Sequence, residues 1–100
     1  MSRYQFTPQA LSDFFEILNF IAEGSPAAAD RVEEAILQAC EFLAGSPHAG
    51  RVRSDLTDLP VRFWTIQPYL NYLVIYDPEA RPLQVLRILH GARDLPTLLT

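Results

Sequence analysis

Residues 83–94 read LQVLRILHGARD, and the rest of the chain has to fold around this stretch. It carries a short apolar run of strand length, made of Val85, Leu86, Ile88 and Leu89. Arg87 interrupts that run, and burying a guanidinium without a partner costs several kcal/mol. We therefore predict that Arg87 lies on an open sheet face, or meets a carboxylate from this chain or from a partner. Gly91 marks the end of the strand.

Two further β-rich runs precede this stretch, VRFWTI at 61–66 and NYLVIY at 71–76. Three strands joined by short connections predict an antiparallel meander. Residues 45–60 contain glycines and prolines and predict a loop, with a short strand at 52–56.

Side-chain alternation along these strands assigns each arginine to a face. Arg62 is expected on one face with Trp64 and Ile66. Arg87 is expected on one face with three apolar residues, Leu83, Val85 and Leu89. Whether the two arginines share a face depends on the strand register, which the sequence does not determine.

The first half of the chain predicts a short strand followed by a helical hairpin. Residues 3–6 alternate polar and aromatic side chains, as a strand does. Thr7 and Ser25 are each followed by proline and predict the starts of two amphipathic helices, which end at Gly24 and near Gly45. The acidic faces of both helices are expected to be solvated. The fold class is therefore α+β, a small antiparallel sheet of three to four strands with the N-terminal hairpin packed on one face.

Composition narrows the classes of protein to consider. The net charge of −4 argues against a general nucleic-acid binder, although the second half holds six arginines against five acids. Every cation is an arginine.

The single cysteine, Cys40, lies among apolar residues and predicts a core thiol. His48 has no other metal ligand near it in sequence and predicts a surface residue with no metal site. With no signal peptide and no membrane span, we expect one cytoplasmic domain over residues 1–100 without a cofactor.

Three segments carry a resemblance to a known family: SPHAGRVRSDL at 46–56, NYLVIY at 71–76 and RILHGARD at 87–94. Together they resemble the ParE branch of the RelE/ParE toxin superfamily of bacterial toxin–antitoxin systems. The resemblance implies the α+β fold predicted above. It also implies a toxin that serves plasmid stabilisation, binds and inhibits DNA gyrase, and is neutralised by a ParD-like antitoxin. No membrane and no direct sequence-specific nucleic-acid contact is expected.

The residues expected to bind the antitoxin or the target are Arg51, Arg53, Arg62, Arg87, His90 and Arg93. Acidic antitoxin residues are the partner we favour for Arg87, and an apolar helix-in-groove contact is an equal alternative.

Two other functions are open. A RelE-like ribosome-dependent mRNA endoribonuclease, which needs no metal, would use Arg62, Arg87 and His90. The absence of lysine favours inhibition by binding over RNA cleavage, because an arginine that stays protonated is a poor general base. The other alternative is a relative of the same fold that has lost toxicity and still binds an antitoxin.

Overall fold

The computed structural model describes the backbone of residues 3–98 and the side chains of residues 3–95. Within that range the chain forms three helices and a four-stranded sheet, which confirms the α+β class. The elements in order are β1 (Tyr4–Phe6), α1 (Pro8–Gly24), α2 (Pro26–Gly45), β2 (Arg62–Thr65), β3 (Tyr72–Asp77), β4 (Leu83–His90) and α3 (Gly91–Leu98). No helix in the described range is long and apolar enough to cross a membrane.

The helical hairpin forms where the capping residues predict it. The Thr7 hydroxyl accepts a hydrogen bond from the Ala10 N–H at 3.1 Å, with Pro8 opening α1. Ser25 serves both helices: its N–H donates to the Ile21 carbonyl, and its hydroxyl accepts from the Ala28 N–H. A single residue thus ends α1 and begins α2, which makes the turn as short as the sequence suggested.

The sheet has the strand order β1-β4-β3-β2. Strands β2, β3 and β4 form the predicted antiparallel meander. Strand β1 instead pairs parallel to β4, in the register Tyr4↔Leu83, so the sheet is mixed rather than wholly antiparallel. The alternating pattern of residues 3–6 predicts a strand but carries no information about its direction, because both pairings have the same side-chain period.

A bulge in β4 overturns the predicted grouping of Leu83, Val85 and Leu89. Ile75 pairs with Arg87, whereas the adjacent Tyr76 pairs with Val85, which leaves Leu86 as an extra residue. Side chains alternate between the two faces of a strand, so one inserted residue moves every later side chain to the opposite face. Leu89 therefore faces the other side of the sheet from Leu83 and Val85.

Two apolar clusters result, one on each sheet face. The larger lies under the hairpin and includes Leu83, Val85, Ile88, Val74 and Tyr76. The smaller contains Val61, Phe63, Ile75 and Leu89, and Leu56 and Leu95 pack against it. Leu56 of the loop before β2 and Leu95 of α3 thus cover part of the second face. An open face was one of the two settings predicted for Arg87, and the other was a carboxylate partner. Cys40 is buried in the larger cluster, and burial raises the pKa of its thiol to about 12, consistent with a core role.

The loop between α2 and β2 is attached to the sheet by a buried tyrosine. The Tyr76 hydroxyl donates to the Pro47 carbonyl at 2.7 Å and accepts from the Gly50 N–H at 2.9 Å. The strand predicted at 52–56 does not form: the N–H groups of Leu56 and Thr57 both donate to the Arg53 carbonyl, which closes a turn. Local turn bonds therefore replace the ladder that a strand would need.

Candidate functional site

Arg87 is held by a carboxylate from this chain. Its Nε donates to Asp13 Oδ2 at 2.7 Å and its Nη2 donates to Asp13 Oδ1 at 3.1 Å, a bidentate pair between β4 and α1. The Ile88 N–H donates to the same Oδ2, next to the bulge. The side-chain hydrogen bonds between Arg87 and Asp13 raise the pKa of the Arg87 guanidinium. The Asp13 side chain is 11% exposed and that of Arg87 is 34% exposed. The charge of Arg87 is therefore balanced without a partner protein.

Asp13 is one of the acidic residues of α1, whose acidic face was expected to be solvated, and for Asp13 that expectation is wrong. It lies one residue before buried Phe14 and four before buried Ile17, at the margin of the α1 core face. An acid at the margin of an apolar stripe, together with an arginine inside an apolar strand, was a signal for this pair. Their separation of 74 positions in the chain made the pair hard to find.

His90 acts as the cap of α3. Its Nδ1 accepts from the Arg93 N–H at 3.2 Å, while the His90 N–H donates to Asp94 Oδ2 at 2.8 Å. This reciprocal pair satisfies backbone donors at the helix start, as a capping box does. An accepting Nδ1 places the ring proton of neutral His90 on Nε2. The ring edge also meets Tyr72, with the centroids 5.4 Å apart.

The Asp94 carboxylate in α3 accepts a hydrogen bond from the His90 N–H at the end of β4. Hydrogen bonds from Arg93 and from the His90 backbone hold the pKa of the Asp94 carboxyl below its usual value of 3.8. A lowered folded-state pKa means that the stabilisation is present at neutral pH and is lost as the pH falls through the folded-state value. We expect Asp94→Asn to lower the free energy of unfolding by about 1 kcal/mol at pH 7.

That difference should shrink as the pH falls below 3.8, the ordinary pKa of the group, and disappear below the lowered folded-state pKa. Denaturant unfolding of both proteins at several pH values measures it. A difference that is constant with pH would show that the Asp94 charge has no stabilising role.

The remaining predicted arginines lie at separate places. Arg62 donates to the Gly50 carbonyl at 2.9 Å and to the His48 carbonyl. Arg53 forms a bidentate pair with Asp55 in the loop. Arg51 is exposed, and its backbone bridges to Phe63 at the edge of β2. Arg93 pairs with its neighbour Asp94 and is more than half exposed.

Arg62 and His90 do not share a site. Arg62 pairs with Tyr76 and His90 pairs with Tyr72, so the two residues are two strands apart and four residues apart along the sheet. At about 3.3 Å per residue and about 4.8 Å per strand, their Cα atoms are roughly 16 Å apart. The three residues of the ribonuclease hypothesis do not converge on one phosphate. No group of three or more histidine, cysteine, aspartate or glutamate side chains in the described range could hold a metal ion.

The fold is similar to that of a solved toxin–antitoxin protein. A chain of the structure described as the chromosomal ParDE TA system from P. aeruginosa matches this one with a TM-score of 0.68 and 21% identity. The match covers 89% of this chain and 98% of that chain, so the two share the whole small α+β fold. No curated protein matches the sequence.

The family is shown by a match of the sequence to a family model. The family model for the ParE toxin of the type II toxin–antitoxin system parDE matches residues 4–95. The chain therefore belongs to the ParE toxin family of type II toxin–antitoxin systems, as the resemblance in residues 46–56, 71–76 and 87–94 implied.

Proposed function

We propose that this chain inhibits DNA gyrase by binding, breaks no bond itself, and is neutralised by a ParD-like antitoxin in a cytoplasmic plasmid-stabilisation system. Membership of the ParE family supports a toxin of this kind. The observation that carries the choice of binding over RNA cleavage is the separation of Arg62 from His90 described above.

The candidate ribonuclease residues are also occupied by structural contacts. Arg87 is bound to Asp13, Arg62 to loop carbonyls, and the His90 Nδ1 to the start of α3. A cleavage mechanism needs a base, an acid and a cation around one phosphate, and these contacts hold the three groups at separate places. Inhibition by binding does not require them to meet at one point.

The proposed contact residues for antitoxin or gyrase are Arg51, Arg53, Arg62, Arg87, His90 and Arg93. They differ in how much of each side chain is exposed and so available to a partner. Arg51 and Arg93 are exposed, and a third of the Arg87 side chain is accessible beside its Asp13 partner. Exposed guanidinium groups suit the carboxylates of an acidic antitoxin segment.

Induced expression separates the candidate functions. We expect growth arrest with DNA-damage signalling and intact mRNA, and we expect the purified protein to inhibit supercoiling by gyrase. Rapid cleavage of mRNA on ribosomes would contradict the proposal in favour of an endoribonuclease. Normal growth would instead indicate a relative without toxicity.

A His90→Asn variant sharpens this test. Asparagine is a strong helix cap and retains an acceptor, but it cannot transfer a proton as imidazole does. We expect toxicity to be unchanged in a binding inhibitor. A loss of about a hundredfold or more in activity, with α3 still folded by circular dichroism, would assign His90 a role in proton transfer.

A further inference from the structure

Helix α3 is held on the sheet by an apolar contact and by hydrogen bonds at its start. Leu95 packs against the smaller apolar cluster, on the second face of the sheet. At the start of the helix the His90 Nδ1 accepts from the Arg93 N–H, and Asp94 accepts from the His90 N–H. The helix has only eight residues, and a helix of that length is not stable in water by itself. Its docking therefore depends on these contacts.

The cap of α3 requires a neutral imidazole. The His90 Nδ1 lies 3.2 Å from the Arg93 nitrogen and can accept its hydrogen bond only while it carries no proton. Both ring nitrogens of an imidazolium are donors, so protonation turns two N–H groups toward each other and removes the acceptor of the Arg93 N–H. The added positive charge also lies at the N-terminus of α3, where the helix dipole is positive. Acid therefore weakens the cap in two ways.

The groups in direct contact with His90 do not cancel this effect. The Asp94 carboxylate attracts an imidazolium, but Arg93 is paired with that carboxylate at 2.9 Å and supplies the opposite charge. Tyr72 on β3 is a further titratable group against the ring, and it adds an aromatic contact with the ring centroids 5.4 Å apart. Neither group provides a new acceptor for the Arg93 N–H.

The charged groups of β4 and α1 near the start of α3 are also nearly balanced. A polar cleft of about 150 Å³ separates α1 from Arg93 and Asp94. Arg87 and Asp13 line the cleft and form their own ion pair. Glu16 is the remaining charge in the lining, and its side chain is exposed, so water and salt screen it.

We propose that protonation of His90 loosens α3 from the sheet, which makes this helix a pH-sensitive cover over the second sheet face. At neutral pH the cap is intact and Leu95 lies on the apolar cluster. As the pH falls the cap opens, the helix frays, and the part of the cluster under Leu95 becomes accessible. The device is a property of the chain itself and goes beyond the proposed function.

Histidine is the side chain that suits such a device. Its charge changes between about pH 5 and about pH 8, where carboxylates stay ionised. The pKa of the Asp94 carboxyl lies below 3.8, so Asp94 keeps its charge and its bond to the His90 N–H throughout this range. The docking of α3 is therefore complete at the upper end of the range and is lost toward the lower end because of His90 alone.

Residue-resolved amide exchange of the unmodified full-length protein tests the proposal. The protection factor of the Arg93 amide, corrected for the intrinsic pH dependence of exchange, reports on the cap directly. We expect it to fall about tenfold from about pH 7.5 to about pH 5, the effect of losing one helix cap. The Thr7 amide, which donates to the Val85 carbonyl in the sheet, is the internal reference and should keep its protection. Constant protection of the Arg93 amide would refute the proposal.

Two histidine variants identify the group that titrates. In His90→Asn the amide oxygen replaces Nδ1 as an acceptor and does not titrate, so the fall in Arg93 protection should disappear. His48→Asn is the matched control: it removes the other histidine of the chain, which lies in the loop before β2, and should leave the fall unchanged. A fall that persists in His90→Asn, or one that is lost in His48→Asn, would show that protonation of His90 is not the cause.

An NMR titration gives a second measurement that needs no substitution. The imidazole nitrogen shifts of His90 report its protonation, and the amide shift of Arg93 reports the cap. We expect both to change with the same midpoint, with the proton of the neutral ring on Nε2. An imidazole that titrates without a response at the Arg93 amide would overturn the proposal.

Discussion

Gly50→Ala is expected to lower the free energy of unfolding by about 3 kcal/mol. A Cβ at this position would lie 2.5 Å from the Tyr76 hydroxyl oxygen and 3.0 Å from the Phe63 carbonyl oxygen. Neither neighbour can move cheaply, because the Tyr76 side chain is fully buried and the Phe63 carbonyl accepts the bridge bond from Arg51. The substitution would separate the loop from the sheet or distort β3, and chemical denaturation measures the cost.

Gly24→Ala is the matched control for this prediction. Nothing lies within 4 Å of a Cβ at Gly24, which is the last residue of α1. Alanine has the higher helix propensity, so we expect a stability equal to or slightly above that of the unmodified protein. If both variants lost the same free energy, steric conflict with Tyr76 would not be the cause.

Arg87→Ala should lower the free energy of unfolding by about 2 kcal/mol. The change removes two charge-assisted hydrogen bonds and leaves the largely buried Asp13 carboxylate with only the Ile88 N–H as a donor. Arg93→Ala is the control. It also breaks a bidentate arginine–aspartate pair, but one that is more exposed and worth little.

A double-mutant cycle with Asp13→Ala isolates the pair itself. We expect the double variant to be more stable than the sum of the single losses predicts, by about 1 to 2 kcal/mol, because no unpaired charge remains in it. Strict additivity would mean that the two side chains do not stabilise each other.

The same Arg87→Ala variant tests the proposed antitoxin contact by calorimetry. We expect affinity to fall more than tenfold, and an unchanged affinity would remove Arg87 from the interface.

Local signals in the sequence predicted most of the elements correctly. Thr7 and Ser25 marked the helix starts, and the β-rich runs at 61–66 and 71–76 marked β2 and β3, because capping and side-chain period are properties of neighbouring residues. The direction of β1 and the extra residue Leu86 were missed, since both depend on how distant strands align. Arg87 was singled out correctly as a residue that needs a carboxylate, but its partner Asp13 became visible only once α1 was placed on β4.

The parallel pairing of β1 with β4 also constrains when the sheet can be completed. Tyr4 lies beside Leu83, so the first strand cannot pair before residues 83–85 have been synthesised. Pairing between residues so far apart in sequence slows folding, because the entropy of closing a long loop has to be overcome first. The four-stranded sheet is therefore completed only once its last strand is available, although β1 is its first strand in the chain.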